Sequence, residues 1–303
     1  MGWYTTADLD KFLTVAGGYL RARPAENIAA LTAVQDALDS ERGHSGDPLY
    51  GWWAPTDAAE PRGAFLHDPS RPLLVVGRAP ETAAALAAPL SRAGRIVSGV
   101  DATADAADAF AAAWRQRAGV DVKVHRSSQL YRLVGVIQDY EGPPGRARSA
   151  TWADRGLLVE WLRAFANEVG DLGRVPEDSA DGMLGYGGAV LWEADGAPVA
   201  MAVVTRPVAG VVRILIVYTP PGYRGHGYGI AVMVAVSRAA LVGRAREVVL
   251  ITDRATPLRR ASRLGFELVG ERAELSFGPP TGPLPRMTGP IPRVPTGPLP
   301  RIR

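Results

Sequence analysis

Three glycines at alternate positions, Gly225, Gly227 and Gly229, stand between an apolar, β-branched run and a long Ala/Val-rich run. Backbone without Cβ atoms can approach the oxygens of a polyphosphate closely. The first N–H groups of a helix have no partner inside it, and the helix dipole favours negative charge at that end. Arg224, just before the glycines, adds a planar cation suited to phosphate. This is the chemistry of a diphosphate cradle. It is not a P-loop, because no Lys follows the glycines, and the dinucleotide spacing G-x-G-x-x-G is absent too. The residues spell R-x-x-G-x-G, at Arg224, Gly227 and Gly229.

The elements around the cradle follow from periodicity. Val211 to Val217 reads as a buried strand, stopped by Pro220, Pro221 and Gly222, and the helix runs from about Gly229 to Val242. Upstream, Thr151 to Phe165 is an amphipathic helix, and a polar loop with a short helix covers Asp171 to Leu184. Gly187–Glu193 and Pro198–Arg206 form a hairpin turning at Asp195-Gly196. Downstream come a buried strand at Glu247–Thr252, a short helix at Thr256–Leu264, and a closing strand pair at Phe266–Val269 and Ala273–Phe277.

With these flanks, "YTPPGYRGHGYG" between strand and helix, then "ITD" and "RLGFELVGE", the segment from about Ser149 to Gly278 resembles the GNAT N-acetyltransferase superfamily. The resemblance implies an α/β (α+β) fold with a mixed sheet. It implies transfer of an acetyl or other acyl group from acyl-CoA to a primary amine, with acetyl-CoA as donor substrate and no metal. It assigns the diphosphate to the loop of Arg224, Gly225, His226, Gly227, Tyr228 and Gly229, and the pantetheine arm to Val217, Tyr218 and Thr219. A backbone N–H of Val217 or Tyr218 would face the oxyanion, and the strand should splay from Glu247–Thr252 to admit the thioester. The sequence departs from the family at its general acid. Ala261 stands where a tyrosine is expected and Thr256 near an expected asparagine, so the acid is missing, with Tyr218 or Tyr228 as substitutes. No catalytic residue is fixed by the sequence; Asp253 is the first candidate for the base and Glu193 the second.

The first half repeats the order of elements. Helices are expected at Asp8–Tyr19 and Ala25–Leu38, then strands at Leu49–Ala54, Gly63–Leu66 and Leu73–Val76. A helix from Pro80 to about Ala93, a strand at Ile96–Val100, a helix at Ala104–Ala118 and strands at Val120–His125 and Gln129–Val136 complete it. Where the cradle would be, the chain reads Gly77-Arg78-Ala79-Pro80, so this half reads as a degenerate GNAT-like copy. Glu141 to Arg148 has linker composition. The expected layout is two tandem GNAT-like mixed-sheet domains, 1–145 and 146–278, the second active, and a disordered Pro/Arg-rich tail, 279–303. The tail repeats Thr-Gly-Pro-Leu/Ile-Pro-Arg three times and is too proline-dense to build a core.

Composition narrows the alternatives. Over 303 residues, 47% are hydrophobic and 21% charged, the balance of a globular chain. The absence of cysteine excludes disulfides and thiolate chemistry and fits a reducing cytoplasm. His44, His67, His125 and His226 show no ligand spacing. No run is long enough to span a bilayer, the N-terminus lacks a signal-peptide core, and the match of Met1-Gly2 and Thr6 to a myristoylation pattern reads as chance. The net charge is +3, but the tail holds four arginines and no acid, which leaves the body at −1 and argues against nucleic acid. The expected partner is a small-molecule amine, with neither nucleic acid nor membrane, and the tail is a candidate ligand for a protein partner. Two rival readings are a non-catalytic acyl-CoA sensor and an interaction protein acting through the tail.

Overall fold

The computed structural model describes residues 1–39, 47–57, 59–135, 137, 140–169, 179–254 and 262–280. Most of the polar loop expected from Ser40, the first part of the Asp171–Leu184 segment, the helix expected from Thr256 and the tail repeats lie outside the described residues.

The first half of the chain runs β1 (Gly2–Thr6), α1 (Leu9–Ala22), α2 (Ile28–Asp39), β2 (Leu49–Ala54), β3 (Gly63–His67), β4 (Leu73–Val76), α3 (Pro80–Arg92), β5 (Gly99–Thr103), α4 (Ala104–Ala118) and β6 (Val120–Leu133). The second runs β7 (Arg146–Ser149), α5 (Arg155–Val169), α6 (Ser179–Gly185), β8 (Ala189–Ala194), β9 (Ala197–Val204), β10 (Val211–Tyr218), α7 (Tyr228–Val242), β11 (Glu247–Asp253) and β12 (Phe266–Pro280). Local chemistry sets the ends. Asp8 accepts from the N–H groups of Asp10 and Lys11 at 2.9 and 3.1 Å and caps α1, and Gly119, at φ 62°, ends α4 in the left-handed region.

All the strands join one sheet in the order β1-β2-β3-β4-β5-β12-β6-β11-β10-β9-β8-β7. The middle of this order is a strand exchange. Arg272–Ser276 of β12 pairs with Thr103–Gly99 of β5, in the first half. Ser128–Leu133 of β6 pairs with Asp253–Val248 of β11, in the second half. The two long strands also pair with each other, from Phe266↔Leu133 to Pro280↔Val120. Each half of the sheet is thus completed by a strand from the other half of the chain. The cores follow suit. Leu275 and Ala273 pack with Phe65, Leu86, Phe110 and Trp114, whereas Leu133 packs with Ile214, Val232, Met233 and Leu250.

The strand alternation assigns the helices to faces. Phe65 faces α3 and α4 while its neighbours Ala64 and Leu66 face α1 and α2. In the second half Ala200 and Ala202 face α7, and Met201 and Val203 face α5 and α6. Ile28 of α2 reaches across to Leu130, Val211 and Val249, so α2 shares the α5/α6 face and covers both halves.

Five readings of the sequence are corrected. Val120–His125 and Gln129–Val136 are one strand to Leu133, as are Phe266–Val269 and Ala273–Phe277; the polar residues between them are paired across the seam rather than turning. Arg146–Ser149 is an edge strand on β8, not linker, and Gly2–Thr6 is a strand the sequence reading omits. The strand expected at Ile96–Val100 forms at Gly99–Thr103.

Because Leu275 fills a core of the first half from the end of the second, Leu275→Ala should cost about 2–5 kcal/mol. Urea unfolding followed by circular dichroism should show one transition, moved to lower urea. Two separated transitions would contradict the coupling of the halves.

Candidate active site

β10 and β11 run parallel and pair from Val211↔Glu247 to Ile214↔Leu250, and there the ladder stops. Beyond it Ile216–Tyr218 keeps its pairing to β9 but has no register with β11, so its β11-facing edge carries unpaired backbone groups. A bulge between Ile214 and Ile216 accompanies the split. It turns Ile214 toward α7 and Ile216 toward α5 and α6, although the two are an even number of residues apart. A cavity of about 920 Å³ opens in the splay, lined by Leu215, Ile216 and Val217 on one side and Ile251, Thr252 and Asp253 on the other. Thr252 Oγ1 is buried there with no hydrogen-bond partner among the described residues.

The glycine loop closes one end of this cavity. Gly225 and Gly227 have φ of 83° and 84°, a region that side chains disfavour. Gly227 caps α7 without any side-chain hydrogen bond, so the first turn of the helix offers its N–H groups outward. A Cβ on Gly229 would lie 3.0 Å from Thr219 Oγ1 and 3.6 Å from Val217, so glycine lets the helix start sit directly on the strand end. His226 Nδ1 lies 3.0 Å from the Arg224 carbonyl, to which it donates, and its ring stacks on Tyr228 at 5.7 Å. Val217 and Gly229 line the cavity, and Tyr218, Thr219 and residues Arg224 to Tyr228 connect them.

Arg224 is placed differently from the sequence expectation. Its guanidinium makes a two-pronged contact with Glu168 of α5, at 2.6 and 2.7 Å, and its Nε donates to the Thr219 carbonyl at 2.9 Å. It fastens the loop to α5. Tyr218 is buried in the α5 core, 6.0 Å from Trp161, and burial followed by the Glu168 carboxylate pushes its phenol upward. It therefore stays protonated at neutral pH. Glu168 carried no sequence signal, since its partner lies 56 positions away.

The two candidate bases part company. Asp253 lines the cavity at the end of β11. Glu193 does not: Arg148 holds it at 2.5 Å, Arg146 adds a second contact at 3.3 Å, and the arginine hydrogen bonds keep its carboxyl below the usual range. The same Arg148 grips Asp154 at 2.7 and 2.8 Å, and Asp154 closes a capping box with Thr151 at the start of α5. Through these contacts Glu193 ties β8 to β7. The positions Thr256 and Ala261 lie outside the described residues.

The first half has a splay of its own. β4 and β5 pair only at Leu73↔Val100 and Leu74↔Asp101, beside a smaller cavity of about 560 Å³. There the helix begins at Pro80, which lacks an N–H, and Glu81 puts a negative charge in the first turn. Among the described residues no group of three or more His, Cys, Asp or Glu side chains could hold a metal, and no helix is long and apolar enough to cross a membrane.

No family model matches the sequence, and no curated protein matches it. Solved structures do. A GCN5-related N-acetyltransferase from Sphaerobacter thermophilus superposes with a TM-score of 0.59 at 15% identity, over 91% of this chain and 95% of its own. A GNAT-family acetyltransferase from Colwellia psychrerythraea gives 0.56 at 11% identity, over 91% and 99%. A Drosophila protein gives 0.64 at 12% identity, over 92% and 99%. The chain has the fold of the GCN5-related N-acetyltransferases, and the likeness runs through both halves.

The Arg148 network makes a pH-dependent contribution. Hydrogen bonds from Arg148, ahead of those from Thr151, hold the Asp154 carboxyl well below its ordinary value. A depressed folded-state pKa stabilises fully above the unfolded value near 4, and the contribution is lost as pH falls below it. Asp154→Asn should cost about 1 kcal/mol at neutral pH, allowing for solvent screening. In thermal melts, the gap between wild type and variant should narrow steadily as pH falls below about 4 and still be partly open at pH 2.

Proposed function

We propose that this chain is an acyl-CoA-dependent N-acyltransferase that acetylates a primary amine of a small molecule. The observation that carries the reading is the ladder that ends at Ile214 and Leu250 and opens toward an uncapped helix start with two left-handed glycines. A strand end with an unpaired edge can pair with an extended, amide-bearing arm. The helix start beside it suits a diphosphate, and the cavity between them suits the thioester. Acetyl-CoA has this combination of parts. The fit is supported by Gly229, where a side chain would meet Thr219, and by Thr252 Oγ1, a buried hydroxyl that a ligand amide could satisfy.

In this reading the N–H groups of Gly225 to Gly229 receive the diphosphate, and Arg224 with Glu168 holds their loop in shape. Leu215 to Tyr218 aligns the arm, and a backbone N–H of Val217 or Tyr218 meets the oxygen that becomes negative when the amine attacks the thioester carbonyl. Holding amine and carbonyl near contact supplies much of the acceleration. Asp253 takes the proton that the ammonium must lose, and the thiolate leaves without needing an acid of its own. The second half of the chain carries the donor, and the first half helps to shape the acceptor cleft.

Gly227→Asp should abolish acetyl-CoA binding in calorimetry, since it puts a carboxylate against the diphosphate and strains a left-handed position; unchanged affinity would remove the site assignment. Asp253→Asn should lower kcat about a hundredfold while acetyl-CoA still binds. Equal kcat in both proteins would assign the proton to another group.

A further inference from the structure

The cavity does not end at the splay. It continues along the α2/α5/α6 face onto the exchanged strands, where Asp101 of β5, Arg272 and Glu274 of β12, and His125, Arg126 and Ser128 of β6 line it. This floor belongs to neither half alone. Asp101 stands directly across from Glu274, and Glu274 directly across from Arg126.

A second bulge shapes this end. After Arg126↔Glu274 the register continues at Val124↔Leu275, so His125 is the extra residue of β6. Ordinary alternation would send its side chain to the opposite face from Arg126; a bulge turns it back. Its Nε2 lies 3.9 Å from Glu274 Oε1, inside the cavity. Two carboxylates directly opposed on neighbouring strands repel. Asp101 is compensated by Arg272 at 2.5 Å, a contact only 11% exposed on the arginine side. Glu274 faces the His125 imidazole across that 3.9 Å contact. Arg126, directly across from Glu274, also lines the cavity.

Arg213 lines the cavity one residue before the ladder stops. A cation beside an amine lowers its pKa and favours the neutral nucleophile. Between the two ends, three residues of β6 separate His125 from Ser128, the partner of Asp253. At about 3.3 Å per residue that is about 10 Å.

We propose that the acceptor is an elongated amine with a second, cationic nitrogen about 10 Å from the first. Its reacting nitrogen lies at the splay and its distal nitrogen is held by Glu274 with His125, which makes these two the specificity-determining residues. The proposal rests on the acyl-transfer reading for the identity of the reacting end. It gives the first half of the chain a task, since His125 and Asp101 reach the cleft only through the exchanged strands.

The test is calorimetric titration of the full-length protein, with and without CoA, using α,ω-diamines from butane- to decanediamine and the matching n-alkylamines. The long diamines should bind about tenfold more tightly than their monoamines, and the short ones no better. Glu274→Gln should bring the long diamines down to the monoamine level, and His125→Ala should do so in part. Glu267→Gln, on the same strand but exposed and paired with Arg132, should keep the full preference. Circular dichroism melts check that the variants fold, and if Glu274→Gln does not, His125→Ala carries the comparison. Equal affinity for diamine and monoamine at every length, or a preference that survives both substitutions, would overturn the proposal. A parallel titration with acetyl-CoA separates the two readings. Donor binding without diamine preference defeats only this one, and diamine preference without donor binding defeats only acyl transfer.

Discussion

β6 and β12, of 14 and 15 residues, run antiparallel for nearly their whole length, and each pairs on its other edge with a strand from the opposite half of the chain. Backbone hydrogen bonds of this kind are individually modest but must all be made once a strand is buried in mid-sheet. Removing these two strands would leave an open edge on β5 and another on β11. It would also withdraw Leu275 and Ala273 from one core and Leu133 from the other. The two halves are therefore joined in one sheet. The polar face of the same strands is what the cavity reaches when it leaves the splay.

The site itself is a controlled failure of sheet formation. A parallel pair that stayed in register to the end would have no room for a ligand. The bulge at Leu215 and the parting after Ile214 open the gap, and the surrounding structure holds it open from both faces. On one side α7 packs down through Val232, Met233 and Val236. On the other, Trp161, Leu158 and Leu162 of α5 press on Ile216 and Tyr218. Arg224 Nη2, donating to both carboxylate oxygens of Glu168, then joins the glycine loop to α5, so the loop, the strand end and the helix above them form one unit. Glycine at three positions supplies the freedom, and the arginine removes what is left over.

The local parts of this arrangement were legible in the sequence. The glycine spacing, the β-branched run before it and the apolar helix after it stood where expected, because each is dictated by residues a few positions apart. Edge strands were harder. Gly2–Thr6 and Arg146–Ser149 are short and half-polar, and the second sits among prolines and glycines that suggest a linker. The long strands looked broken because Arg126, Ser127 and Ser128 on one, and Gly270 and Glu271 on the other, resemble turns. Arg126 and Ser128 line the larger cavity and Gly270 and Glu271 the smaller one, and polarity alone does not distinguish a cavity wall from a turn. The exchange left no trace in periodicity, which tells which face of a strand is buried but not which strand lies beside it. The partner of Arg224 was hidden for the same reason. A cation before a glycine loop suggests phosphate, and only the folded chain brings Glu168 to it.

The exchange also bears on how the chain is made. Asp101 and Arg272, which meet across β5 and β12, are 171 positions apart. At the ribosome's pace of ~5–20 residues per second, the first half would wait on the order of 10–30 s after β5 emerges before its neighbour is synthesised. During that interval β5 is an unprotected edge beside the apolar helices α3 and α4, the kind of surface that chaperones hold and aggregates recruit. Usually an N-terminal domain folds first and the next follows. Here neither can finish alone, and a nascent chain released before β12 would be left with a permanent open edge.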